Sequence, residues 1–288
     1  MIPFKKIFCF GTSLSCGGGF EWDSNDQKRN KLLEENYGYL KIRDQHKFSY
    51  PYHLQQLINK LNNVKIKVEN FAKSGYGNER ICQSIYNLIT TNEIDEETLL
   101  LVEFSDFGRL QLYDNHFEKD FIVNYHFEDN TEDLNFSNIS LAYEYFYDNK
   151  IERERLKEIY NTISNFLDFY IDMKYVPNKI SMNTFYLVST LDNLNIPYII
   201  VSDSMLLDGL HNKLKNYNKL KVDYDIGNGK STNILWEYIV EKQLSIKHET
   251  NKKYNDFHAG YRGNIEISKQ IYKKISEVYS LGTLDSRI

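Results

Sequence analysis

The chain has 288 residues, enough for one large α/β domain or two smaller ones. Hydrophobic residues make up 41% and charged residues 26%, which supplies a sizeable core and argues against a disordered or collagen-like chain. With 35 basic and 40 acidic residues the net charge is −5, a poor match for a strongly cationic nucleic-acid or membrane binder. Three cysteines cannot all pair internally, so no disulfide framework is implied. The surplus of 23 Tyr and 17 Phe fits sugar-stacking surfaces, and it equally fits an AT-rich coding sequence.

In chain order, residues 4–10 form the first predicted strand. The apolar run at 7–10 ends at Gly11, too short for a secretory signal, and no stretch approaches the roughly 20 apolar residues of a membrane span. A cytoplasmic protein is expected, and one carried on a particle would read the same way. Residues 20–48 are polar and read as an inserted loop. Leu54, Leu57, Ile58 and Leu61 mark one face of a helix over 52–61, and alternation over 64–70 predicts a strand. A helix follows at 78–89, and the unbroken apolar run within 98–104 predicts a strand covered on both faces. Residues 110–150, aromatic and without a clear period, read as a second insertion. Helices are predicted at 152–173, 182–194 and 266–279, with a buried strand at 196–201. This alternation implies a mainly parallel sheet with helices on both faces and a ligand crevice at the strands' carboxyl ends.

Four segments fall at or near such ends. Gly11-Thr12-Ser13-Leu14-Ser15 puts a serine on a tight strand-to-helix turn, where its hydroxyl is exposed and its amide can face an oxyanion. Asn70-Phe71-Ala72-Lys73-Ser74-Gly75 lets Gly75 bring an amide close to a substrate, with Asn78 opening the next helix as its N-cap. Glu103-Phe104-Ser105-Asp106-Phe107-Gly108-Arg109 offers polar groups to the same crevice, or a turn with Asp106 capping a helix. Near the C-terminus, Asp256 stands two residues before His258, a spacing that lets the carboxylate fix the imidazole tautomer. Singly, each segment reads more simply as an ordinary cap, turn or surface site.

Together, in this order, they resemble the SGNH hydrolases, the GDSL lipase-esterase family. Gly11-Thr12-Ser13-Leu14-Ser15 is similar to that family's Gly-Asp-Ser-Leu-Ser block at four of five positions. Asn70 to Gly75 fits its Asn-x-Ala-x-x-Gly block, and Gly77-Asn78-Glu79-Arg80-Ile81 looks like the continuation in many bacterial and phage members. Asp256, His258 and Gly263 fit the last block, and Tyr50-Pro51 resembles the start of the first long helix. The resemblance spans residues 4–279. It implies a three-layer α/β/α sandwich with a flavodoxin-like parallel sheet, one domain over 1–288 with insertions near 20–48 and 110–150. It also implies Ser13 as nucleophile, His258 as general base and acid, and Asp256 as its orienting partner. Ser13, Gly75 and Ser105 are the expected oxyanion donors, with Asn78 and Arg109 on the substrate side. No metal and no cofactor is implied.

The chain also departs from that pattern. Thr12 stands where the family has Asp, and Ala259 where it commonly has Pro. The third block, normally Gly-x-Asn-Asp, reads Phe104-Ser105-Asp106-Phe107, with no Asn to donate to the oxyanion; Ser105 with Arg109 is reminiscent of a Ser-and-Arg variant in phage-type members. Losing one such donor costs about 10²–10³ in rate in a well-studied protease, which slows an esterase without removing its activity. Cys9 and Cys16 read as small buried residues, and Gly17-Gly18-Gly19 lacks the Lys-Ser/Thr of a phosphate loop. Asp203 follows a strand and either lines the pocket or caps a helix. The expected partner is a small-molecule or glycan ester, with a preference for O-acylated carbohydrate over lipid, and no nucleic acid or membrane; the oligomeric state is open. Acyl transfer on the same fold, and a non-catalytic carbohydrate-binding or structural protein, are the alternatives.

Overall fold

The computed structural model describes residues 3–18, 45–73, 76–105, 108–114, 119–125, 140–142, 175–203, 217–250 and 256–279, with Lys31, Glu35 and Leu281. In chain order the described strands are β1 (Lys6–Phe10), β2 (Lys67–Asn70), β3 (Thr98–Glu103), β4 (Gly108–Asp114), β5 (Lys119–Tyr125), β6 (Ser140–Ala142), β7 (Tyr198–Ser202), β8 (Tyr224–Gly227) and β9 (Lys230–Thr232). The helices are α1 (Ser13–Cys16), α2 (Tyr50–Asn62), α3 (Asn78–Thr90), α4 (Tyr175–Asn193), α5 (Tyr217–Leu220), α6 (Leu235–Glu241), α7 (Ile246–Glu249) and α8 (Tyr261–Tyr279).

The four strands β2, β1, β3 and β7 lie side by side in that order, all parallel, the flavodoxin-like arrangement, with the polar β2 at one edge of this order and β1, β3 and β7 forming apolar runs. Their side chains alternate between two cores. Cys9, Leu101 and Val201 face α2, α6 and α8, where Leu54, Ile239 and Ile271 meet them. Phe10, Val102 and Ile200 face the opposite layer, against Ile81 of α3 and Leu187 of α4. Burying one such side chain is worth roughly 1.5–3 kcal/mol, so a sheet covered on both faces selects unbroken apolar strands. The result is a three-layer α/β/α sandwich. The parallel pairing sends all four carboxyl ends to one edge, where Gly11, Phe71, Phe104 and Asp203 follow.

Local chemistry explains the element ends. Pro51 in the first turn of α2 suits a helix start, and Asn63 ends it in the left-handed region at φ 48°. Strand β2 is shorter than the alternation over 64–70 predicts, because the Ile66 amide bonds the Asn59 carboxamide at 2.8 Å instead of a neighbouring strand. Helices α4 and α8 begin earlier than the apolar periodicity alone suggests, at Tyr175 and Tyr261.

Two regions differ from expectation. Within 110–150, read as aperiodic, β4, β5 and β6 form an antiparallel sheet, with Leu112 opposite Phe121 and Val123 opposite Leu141. It starts at Gly108, so the segment after β3 leads into a strand and not into a helix capped by Asp106. The hairpin β8–β9 turns on Asn228 (φ 55°) and Gly229 (φ 73°), the two positive φ values a tight two-residue turn needs. The helix predicted over 152–173 and most of the 20–48 insertion lie outside the described residues. Among the described residues, no helix is long and apolar enough to cross a membrane.

Candidate active site

The turn after β1 is built around a missing side chain. A Cβ on Gly11 would lie 2.6 Å from Ser15 Oγ and 2.7 Å from Glu103 Oε2, so only glycine lets the strand pass into α1 there. Thr12, Leu14, Ser15 and Cys16 are buried, which leaves Ser13 as the residue of this turn that reaches the surface. Gly17 closes α1 at φ 86°.

His258 approaches from the other end of the chain. Its Nε2 lies 3.0 Å from Ser13 Oγ, and its Nδ1 lies 2.7 Å from Asp256 Oδ1. The same Asp256 oxygen accepts the His258 backbone N–H at 2.8 Å. With Asp256 ionised, Nδ1 carries the ring proton and donates to the carboxylate. Nε2 is then the acceptor for the Ser13 hydroxyl. Gly18 closes the other side of the ring: a Cβ there would lie 2.8 Å from His258 Cδ2 and 2.7 Å from the Ser13 carbonyl oxygen.

The histidine loop is held by backbone bonds to a segment that the sequence reading passed over. The Ile246 amide donates to the His258 carbonyl at 2.8 Å, and the Lys247 amide to the Asp256 carbonyl at 2.7 Å. The Gly260 amide donates to the Leu244 carbonyl at 2.8 Å. Glu249 then accepts the Gly263 amide at 3.0 Å in the first turn of α8, satisfying a donor that a helix start leaves open. Asn264 ties the same turn down, donating to the Ala259 and Gly260 carbonyls at 3.0 Å each.

The remaining expected site residues are placed as follows. Asn70 joins the second segment to the first: its side-chain amide donates to the Ser15 carbonyl at 2.8 Å, and its oxygen accepts the Ala72 amide at 3.1 Å. Gly75 lies outside the described residues. Gly77 holds the N-cap position of α3, and Asn78 is the first helical residue. Asn78 is buried, and its carboxamide accepts the Ser105 amide at 2.6 Å and donates to the Ser105 carbonyl at 3.2 Å. This pair fixes the exit of β3 against the start of α3. Arg109 lies on β4, opposite Asn124 in the antiparallel register.

Two buried acids, Glu103 and Asp203, follow or end strands at this edge of the sheet. Glu103, the last residue of β3, is 1% exposed and accepts the Thr12 hydroxyl, the Ser15 hydroxyl and, at 2.8 Å, the Ser15 amide. Burial pushes its carboxyl above the usual carboxylate range, against the pull of these donors. Its sequence signal was an acid closing an apolar run, which reads equally as the polar end of a strand. Asp203 is buried; it pairs with Lys221 Nζ at 2.8 Å and accepts the Tyr217 hydroxyl at 2.6 Å, and the segment it would cap, 204–216, lies outside the described residues. Cys9, Cys16 and Cys82 are buried, and no disulfide joins any two of them. Among the described residues, no group of three or more His, Cys, Asp or Glu is arranged to hold a metal ion.

No protein-family model matches the chain, and no curated protein matches it.

Proposed function

We propose that this chain is a serine esterase. The observation that carries the reading is the hydrogen-bonded line from Ser13 Oγ to His258 to Asp256, two contacts of 3.0 Å and 2.7 Å at the carboxyl edge of a parallel sheet. A histidine oriented by a carboxylate and hydrogen-bonded to a serine hydroxyl is one arrangement that activates the hydroxyl as a nucleophile near neutral pH. The resemblance to the SGNH hydrolases supports the same assignment.

In this reaction Ser13 Oγ attacks the ester carbonyl as His258 Nε2 takes its proton. Asp256 holds the ring and stabilises the imidazolium. The amides of Ser13 and Gly75 receive the oxyanion, joined by Ser105. His258 then returns the proton to the leaving alkoxide, leaving an acyl-Ser13 ester. A water, deprotonated by the same nitrogen, attacks that ester and regenerates Ser13. The Tyr-rich insertion supports an O-acylated carbohydrate as the substrate class.

The test is hydrolysis of p-nitrophenyl acetate by the wild type and by Ser13→Ala, together with labelling by a fluorophosphonate. Loss of the nucleophile is expected to remove activity on the order of 10⁶-fold in kcat, to the assay background. Absence of Ser13-dependent turnover and of Ser13 labelling overturns the proposal. Labelling without hydrolysis redirects it to acyl transfer, in which a sugar hydroxyl replaces water.

A further inference from the structure

The reaction just described leaves the carboxylate beneath the nucleophile turn without a task. Glu103 is buried at the end of β3, where the preceding residues Leu99 to Val102 are apolar and pack without cost in desolvation. An acid in that place is expensive unless its oxygens are satisfied. They are satisfied from one source. The Thr12 hydroxyl, the Ser15 amide and the Ser15 hydroxyl all donate to it, and all three belong to residues within two positions of Ser13. Because the Ser15 hydroxyl gives its proton to Glu103, it accepts from the Tyr50 hydroxyl on α2, which extends the chain of bonds to the helix layer. Gly11 has no side chain at the point where the carboxylate and the Ser15 hydroxyl occupy the space.

The two carboxylate oxygens therefore grip the turn on both sides of Ser13. Oε1 holds the residue before it and Oε2 the residue two after it. Held at both ends, the peptide units that bracket Ser13 cannot rotate, and the Ser13 hydroxyl stays on the side facing His258 Nε2. We propose that Glu103 is the positioning residue of the nucleophile: an anchor supplied by the third strand to a turn whose own position 12 carries only a hydroxyl. This rests on the reading of Ser13 as nucleophile. Glu103 touches neither substrate nor reacting atoms, and acts through Thr12 and Ser15.

Two variants test it. Glu103→Gln keeps the volume but turns one acceptor oxygen into a donor facing groups that already donate. Thr12→Val removes one of the bonds and leaves the acid in place. Each is compared with wild type by the rate constant for fluorophosphonate labelling of Ser13, with final stoichiometry read from intact mass, and by kcat and KM for p-nitrophenyl acetate. A misplaced nucleophile loses rate per site. Glu103→Gln is expected to label to near wild-type stoichiometry, with the labelling constant and kcat down about 10–100-fold and KM unchanged. Thr12→Val moves the same way by a smaller factor. Wild-type labelling rates per site in both variants overturn the proposal, whatever happens to thermal stability, as does a fall that merely tracks the stoichiometry. Should Glu103→Gln yield no folded protein, Thr12→Val decides: slower labelling per site sustains the positioning role and an unchanged rate overturns it. Wild-type protein that does not react at Ser13 overturns the esterase reading, and this one with it.

Discussion

Gly18→Ala adds a single methyl group between the two reacting side chains. The backbone at Gly18 is outside the left-handed region, so alanine meets no conformational penalty there, and the whole effect comes from contact. The new carbon would sit 2.8 Å from His258 Cδ2, 2.8 Å from Ser13 Cβ and 2.7 Å from the Ser13 carbonyl oxygen. Carbon atoms rest about 3.5–4.0 Å apart, so ring and methyl must separate by roughly 0.7 Å or more. The Ser13–His258 bond starts at 3.0 Å. A displacement of that size carries it past the roughly 3.2 Å at which such bonds are good. A misplacement near 1 Å costs about 10²-fold in rate, so kcat for p-nitrophenyl acetate is expected to fall about 10–100-fold. The thermal midpoint should fall as well, because the Ser13 carbonyl is backbone and must give way, so the loss of kcat is read on folded protein. Turnover within twofold of wild type would refute the argument, since it would mean that the ring can move without consequence for the chemistry.

Other perturbations reach different parts of the scaffold. Lys221→Ala strands the buried Asp203 carboxylate, and urea denaturation should show a loss of about 3–5 kcal/mol; a loss under 1 kcal/mol would mean that the pair is solvated. Gly263→Ala drives a methyl into the Leu244 carbonyl, which is backbone and cannot swing aside, so urea denaturation should show a loss of about 1–3 kcal/mol, and on the proposed mechanism turnover of p-nitrophenyl acetate should slow as the histidine loop shifts. Burial against Tyr52 and Tyr261 lowers His53 from its usual 6.5 to about 4, which favours the neutral ring in the folded state. The unfolded chain therefore takes up the proton first, and stability falls as pH drops from about 6.5 toward 4. His53→Phe should flatten that part of the stability curve, and parallel curves for the two proteins would rule out this residue as the cause.

What could be read from the chain follows the range of the forces involved. β1, β3 and β7 were visible because burial on both faces demands unbroken apolar runs, and α2 and α3 because one face of each meets the sheet. Asp256 and His258 were visible because the spacing that joins them is local. Ser13 needed only its place at a strand end. Glu103 was not visible, because its meaning comes from Thr12 and Ser15, 91 and 88 residues away, and nothing in the neighbourhood of position 103 states that distance. The clamp of residues 244–249 on the histidine loop is made of backbone bonds, which carry no sequence signature. The β8–β9 hairpin is a different case: Asn228-Gly229 between two short runs announces a tight turn, and it went unread. The start of α8 was placed late because its first turn is held by Glu249 and Asn264 and not by apolar periodicity.

Ser13 and His258, hydrogen-bonded in the fold, are 245 positions apart in the chain. Ser13 opens α1, just after β1, and His258 lies in the loop before α8. A ribosome-bound chain can fold β1, β2 and β3 while the serine hydroxyl still has no proton acceptor beside it. The assembled pair arrives only when residues 244–249 and 256–260 dock against the carboxyl edge of the sheet. On the proposed mechanism, hydrolysis reports that both ends of the described chain have docked, and a half-made chain is chemically silent.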